Sequence, residues 1–176
     1  MADPASPQPW WALAGVVVGF CLAEGMRYVR YRWEIHRDRR LVKEELRAVL
    51  AQLPQKADIL RKAIAKLQQK QVLPTMSVHA LTTGYSSVLS ALYPHLSLVE
   101  RNCLHVIYER LRVMDEVMDS LERDFLAAVR EKTVDNPWVV YADRLDDMLH
   151  SVGVVEELAK SYLSGKPVDV FDSGQS

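Results

Sequence analysis

One rhythm dominates the apolar positions of this chain. Leu104, Ile107, Leu111, Met114, Met118, Leu121, Phe125 and Ala128 follow one another at alternating spacings of three and four. A period of 3.5 puts all eight side chains on one stripe of an α-helix, as in coiled coils and helical bundles. Ser97 and Glu100 form the S-x-x-E pattern of a capping box just upstream. A helix is therefore expected over residues 97–132, about 54 Å long. Val113 and Val117 fall outside the stripe, which predicts contact on more than one side of that helix.

The other segments are set off by proline and capping residues. Leu46, Val49, Leu50 and Leu53 make an apolar stripe that Pro54 is expected to end. A second stripe uses Ile59, Leu60, Ala63, Ile64 and Leu67, with Lys56, Arg61, Lys62, Lys66 and Lys70 on the polar faces. A third, over 77–93, uses Val78, Leu81, Tyr85, Val88 and Leu92, and Pro94 closes it. Asp135-Asn136-Pro137 supplies a cap and a first-turn proline for a last helix that Gly165 and Pro167 stop. Its inward positions are expected to be Trp138, Tyr141, Ala142, Leu145, Leu149, Val152, Val155, Ala159 and Tyr162. No stretch alternates with the period of two that marks a half-buried strand. The expected fold is all-α: an N-terminal transmembrane helix continuing into a cytoplasmic bundle of four or five helices. The last two helices are expected to lie antiparallel.

The N-terminal part has a different pattern. Residues 10–23, WWALAGVVVGFCLA, contain no charge. Residues 10–31 would span about 33 Å as a helix, against a hydrocarbon thickness of about 30 Å. Trp10 and Trp11 lie at one end, and Tyr28, Tyr31 and Trp33 at the other, as interfacial anchoring favours. Residues 1–26 hold no Lys or Arg. Residues 27–43 hold seven basic residues against two acidic ones, a net +5. The positive-inside rule then puts the N-terminus outside and the remainder in the cytoplasm. A cleaved signal peptide would need a basic start, which MADPASPQP lacks. The resulting division is a short extracytoplasmic N-terminus (1–8), a transmembrane helix (9–33), a cytoplasmic helical bundle (34–165) and a flexible C-terminal tail (166–176). The expected place is a cell membrane, of the bacterial inner-membrane kind, crossed once.

Within this segment Gly15 and Gly19 form GxxxG, and Ala23 extends the small-residue face by one more turn. Such a face lets two membrane helices approach closely. Glu24 is an acid inside the expected span. Its position three residues before Arg27 points to an intrahelical ion pair rather than a proton relay.

Charge refines the picture. The whole chain carries −1, but residues 1–26 carry −2 and 27–43 carry +5, leaving −4 for 44–176. A mildly acidic body offers no nucleic-acid footprint. Arg27, Arg30, Arg32, Arg37, Arg39 and Arg40 are instead expected to meet lipid headgroups. The two cysteines, Cys21 and Cys103, show neither metal-ligand spacing nor a disulfide framework.

Candidate chemistry is sparse. There is no phosphate-binding glycine loop, no nucleophile elbow and no H-E-x-x-H. His105 and Glu109 stand one helical turn apart. Asp147 and His150 resemble half of a di-metal motif whose second half is missing. Thr75, Ser77, His79 and Tyr85 lie in the most polar uncharged region, where a ligand could be held. No catalytic residue, metal or cofactor is assigned. The sequence thus supports a non-enzymatic, membrane-anchored helical interaction or scaffold protein at the cytoplasmic face. Its partners would be the bilayer and either another protein or a second copy. The alternatives are an accessory or regulatory subunit of a larger membrane complex, and a small-ligand-binding or enzymatic helical domain.

Overall fold

The computed structural model describes residues 10–71 and 83–170, with backbone only for Ala12 and residues 83–86. Its elements are α1 (Trp10–Gln68), α2 (Thr83–Leu92), a 3-10 turn (Tyr93–His95), α3 (Leu98–Glu131) and α4 (Pro137–Leu163). Among the described residues there is no strand, and the protein is all-α. The chain divides into two compact units, Met1–Arg40 and Leu41–Ser176.

The first unit contains the beginning of α1. From Trp10 to Trp33 every described side chain is exposed, apolar ones included.

The core of the second unit is built on α3. All eight positions of its 3.5-period stripe are buried, from Leu104 to Ala128. The expected capping box is present: Ser97 N–H donates to Glu100 Oε2 at 2.7 Å, and Glu100 N–H donates to Ser97 Oγ at 3.2 Å. These bonds satisfy two of the amides that a helix start leaves without partners. Helix α4 runs antiparallel to α3. Phe125 near the end of α3 makes edge contacts with Trp138 and Tyr141 at the start of α4, with centroids 4.8 and 5.5 Å apart. Arg110 donates to Ser151 Oγ at 3.1 Å, and the Cys103 thiol points at the Leu158 carbonyl, 3.7 Å away. Falling positions on α3 thus meet rising positions on α4. Met148 and Leu158 are buried in place of Leu149 and Trp138, which are half-buried.

Pro54 does not end the first helix. Helix α1 passes through it to Gln68, so the expected first and second segments are one element. The reason lies in the register. Val42, Leu46, Val49, Leu53, Ala57, Leu60, Ala63 and Leu67 are all buried, at spacings of three and four that continue across the proline. Pro54 itself is exposed, so its ring displaces no packed neighbour. An interior proline costs a helix about 3 kcal/mol. Burying one large apolar side chain contributes about 1.5–3 kcal/mol, so a stripe of eight outweighs it.

Lys56 was expected on a polar face, but it is buried and forms an ion pair with Asp115 of α3. This contact sets α1 beside α3 within the second unit. Of the expected third segment, residues 77–82 lie outside the described part. Helix α2 covers Thr83–Leu92, and Pro94 sits in the 3-10 turn that follows. Leu92 and Leu96 are buried there, and Arg101 lies 4.4 Å over the Tyr93 ring.

The helix ends follow local rules, with departures at Lys70, Lys132 and Asn136, which are left-handed without being glycine. Gly165 takes φ 76°, with Lys166 N–H donating to the Ser161 carbonyl and Gly165 N–H to the Tyr162 carbonyl. That is the glycine-stopped end expected for α4. Lys70 adopts the same left-handed turn at the end of α1, with φ 55°, at the cost a side chain brings to that conformation. Asn136 is also left-handed, and its side chain makes no cap bond. The expected side-chain cap is therefore absent there, although Pro137 does open α4.

Pro54→Ala restores a backbone donor without disturbing packing. It should raise unfolding stability by about 2 kcal/mol, after allowance for the looser unfolded chain. Urea unfolding followed by helical ellipticity measures this, and a loss of stability would show that the bundle depends on the proline's distortion.

Candidate membrane-association site and bundle grooves

The exposed part of α1 presents Trp10, Trp11, Leu13, Val16, Val17, Val18, Phe20 and Leu22 to its surroundings, each more than half accessible. These positions go all the way round the helix, so no single face is left polar. Gly15 and Gly19 lie on open surface, with nothing within 4 Å of where a side chain would begin. Ala23 is exposed one turn further on.

Among the described residues no helix is long and apolar enough to cross a membrane. The transmembrane helix expected over 9–33 meets a definite shortfall. Its uncharged run of 14 residues is about 21 Å long, against about 30 Å of hydrocarbon. Glu24 and Arg27 interrupt the remainder.

Those charges are paired. Arg27 donates to Glu24 at 3.4 Å, the intrahelical pair anticipated from the spacing. Arg30 donates to Glu34 at 3.3 Å, and Arg37 donates to Asp38 at 3.2 Å while lying 5.8 Å over the Trp33 ring. The first two pairs are exposed and contribute little to stability, about 0–1 kcal/mol each, whereas Asp38 is buried. Their effect is to cancel charge locally. Arg32 and Arg40 are exposed, and Arg39 is half-buried.

The other candidate residues do not converge. Thr75, Ser77 and His79 lie outside the described residues. Tyr85 is on α2, with only its backbone described. His105 is exposed, and its expected partner Glu109 is held instead by Arg112, with Nη2 donating at 2.5 Å and Nε at 3.0 Å. The Arg112 hydrogen bond, ahead of the charge of His105, lowers the Glu109 carboxyl, and the bonds to Glu109 and Glu116 raise the Arg112 guanidinium. A forked guanidinium three residues on matches a carboxylate better than an imidazole does. Among the described residues no three His, Cys, Asp or Glu side chains gather in a way that could hold a metal ion.

Among the described residues the second unit carries surface grooves. One, of about 690 Å³, lies between α1 and α4 and is lined by Leu53, Pro54, Asp58, Lys62, Val152 and Glu156. Another, of about 420 Å³, lies on the α3–α4 pair. Val113 and Val117 line it, and Val113 stays 43% exposed, so the second-side contact expected for these two valines is an open groove. Neither groove gathers a catalytic set of side chains.

Sequence reasoning missed Lys56 and Asp115. They stand 59 residues apart, and only the continuity of α1 through Pro54 brings them into register. The unbroken three-and-four spacing from Leu53 through Ala57 to Leu60 was the available signal.

Cys103 is buried, and removal from water pushes its thiol up to about 11, partly offset by the Val168 backbone. It is placed as an inert core residue.

No family model matches the chain, and no curated protein and no solved structure is similar to it.

Lys56→Met should cost about 1–3 kcal/mol, because the half-buried Asp115 then loses its ammonium partner. Lys56→Met combined with Asp115→Leu should recover most of that loss, and denaturant unfolding of the four-member cycle measures it. Alkylation of Cys103 should be on the order of a hundredfold slower at pH 8 than that of an ordinary thiol. The rate should keep rising up to about pH 11, and a plateau near pH 9 would place this thiol in water.

Proposed function

We propose that the chain is a membrane-anchored helical interaction or scaffold protein, held by residues 9–33 with its bundle on the cytoplasmic side. One observation supports this above all: the first part of α1 is apolar on every side and exposed on every side. A helix apolar all round requires a non-aqueous surrounding. The positive charge of residues 27–43 favours the stated orientation. The short uncharged run is compatible with insertion because Glu24 and Arg27 are paired and lie toward the expected cytoplasmic end. Arginine stems there can extend along apolar surface to the headgroups. Local thinning of the bilayer absorbs the remaining mismatch.

The open surface at Gly15 and Gly19 favours a second, related reading. In that reading the anchor packs against another span, and the chain is an accessory or regulatory subunit of a membrane complex. Small residues on an exposed face allow such close approach.

The native cysteines make a direct test. Full-length protein in phospholipid vesicles should resist alkaline carbonate extraction. Cys21 should react with a water-soluble maleimide at least tenfold more slowly in intact vesicles than after denaturation in dodecyl sulfate. Release into the soluble fraction, with Cys21 labelled at full rate, would sink the anchor. Gly15→Leu with Gly19→Leu should leave insertion intact and abolish crosslinking to a neighbouring span. Unchanged crosslinking argues against the subunit reading.

A further inference from the structure

Helix α3 carries a second stripe beside its buried one. Arg110, Val113, Val117, Ser120 and Asp124 follow at spacings of three, four, three and four, so they share one face. The first four line the groove on the α3–α4 pair, and Arg144, Asp147 and Ser151 of α4 line its other side. Val113 is exposed there and Val117 half-buried. The charges of this groove are left over from the fold. Arg110 donates to Ser151 Oγ at 3.1 Å, and Arg144 lies 5.0 Å over the Tyr141 ring. Neither arginine meets a carboxylate among the described residues, and Asp147 meets no cation there. Asp124 is held at 3.3 Å by its chain neighbour Arg123, an exposed pair.

These charges are arranged self-complementarily. On α3, Arg110 and Asp124 stand seven residues either side of Val117. On α4, Arg144 and Asp147 stand either side of Leu145 and Asp146. Both midpoints lie at one level of the antiparallel pair. Arg110 meets Ser151 and Phe125 meets Trp138, which sets position 117 level with about position 145. A half-turn about an axis through that level brings Arg110 of one copy to Asp124 of a second, and Arg144 to Asp147. Val117 then meets itself, and Val113 meets the small Ser120. A twofold interface uses the same patch on both copies, so such self-complementarity is what it requires.

We propose that this face pairs two copies of the chain, α3 against α3 in antiparallel register about Val117. This rests on the interaction reading above and names the partner as a second copy; it does not need the anchor. An apolar centre with a charged rim is the usual anatomy of a protein interface. The rim charges fix register more than they add affinity.

The test uses the full chain in phosphatidylcholine vesicles at a high lipid-to-protein ratio, with Cys21→Ser to remove the exposed thiol. Mild oxidation of Val117→Cys should give disulfide dimers. Val113→Cys should give at least tenfold fewer, because its two copies stand about 12 Å apart along the helices, beyond disulfide reach. Equal yields at the two positions would mean parallel or collisional contact and overturn the proposal. In the Val117→Cys protein, Arg110→Asp should set two acids together and Asp124→Arg two cations, each lowering the yield about tenfold. Arg110→Asp with Asp124→Arg restores opposite charges and should return most of the yield. A double variant no better than the singles would overturn the register. Gly15→Leu with Gly19→Leu should leave the yield unchanged, and its loss would assign pairing to the N-terminal segment instead. A chain that resists carbonate extraction yet forms no dimer at Val117→Cys would overturn this inference and leave the anchor standing. If the chain stays outside the vesicles, the same dimer should form in solution, and a monomer there would overturn the inference too.

Discussion

The second unit depends on the need to cover one apolar stripe. Helix α3 presents buried side chains from Cys103 to Ala128, on a helix about 51 Å long. Helix α4 covers it from the antiparallel side, with Phe125 clasped between Trp138 and Tyr141 at the turn. Helix α1 approaches it from another side, as the Lys56–Asp115 contact records. The short α2 and its 3-10 turn add Leu92 and Leu96. Because each neighbour has its own stripe at three-and-four spacing, close packing fixes their registers together.

That dependence explains what could be read in advance. The α3 stripe was legible position by position, because eight apolar residues without a gap leave one helical solution. Its start was legible because a capping box is local chemistry. Proline was misleading at Pro54 and informative at Pro137. A proline's local penalty is known, but whether it stops a helix depends on burial across many residues, which only packing decides. Lys56 was misread for the same reason: once α1 continues, position 56 turns toward α3 and its ammonium must find a carboxylate. The candidate site divided similarly. The Glu24–Arg27 pair followed from spacing alone. The Glu109–Arg112 pair did not, since His105 and Arg112 both lie within one turn of Glu109 and hydrogen-bond geometry chooses Arg112.

Helix α1 faces two environments in succession. In the second unit it hides a stripe and exposes charge. In the first its described side chains from Trp10 to Trp33 are exposed, while Asp38 is buried. Spacing brings the acids at 24, 34 and 38 within reach of Arg27, Arg30 and Arg37. A net charge of +5 over residues 27–43 would treat these arginines as one cloud. The geometry shows that Arg27, Arg30 and Arg37 are each held by an acid of the same helix.

The proline in α1 has a mechanical meaning as well as an energetic one. A long α-helix behaves as a rod whose stiffness comes from its repeated backbone bonds. Pro54 removes one rung by leaving the Leu50 carbonyl without its amide partner, and it does so on the water-facing side. Sharp bends in helices concentrate at such gaps, so this is where the rod yields most easily. The buried stripe beneath resists sliding but tolerates a small change of curvature. The bundle's longest element therefore contains its own point of compliance, next to the groove that Leu53, Pro54 and Asp58 share with α4.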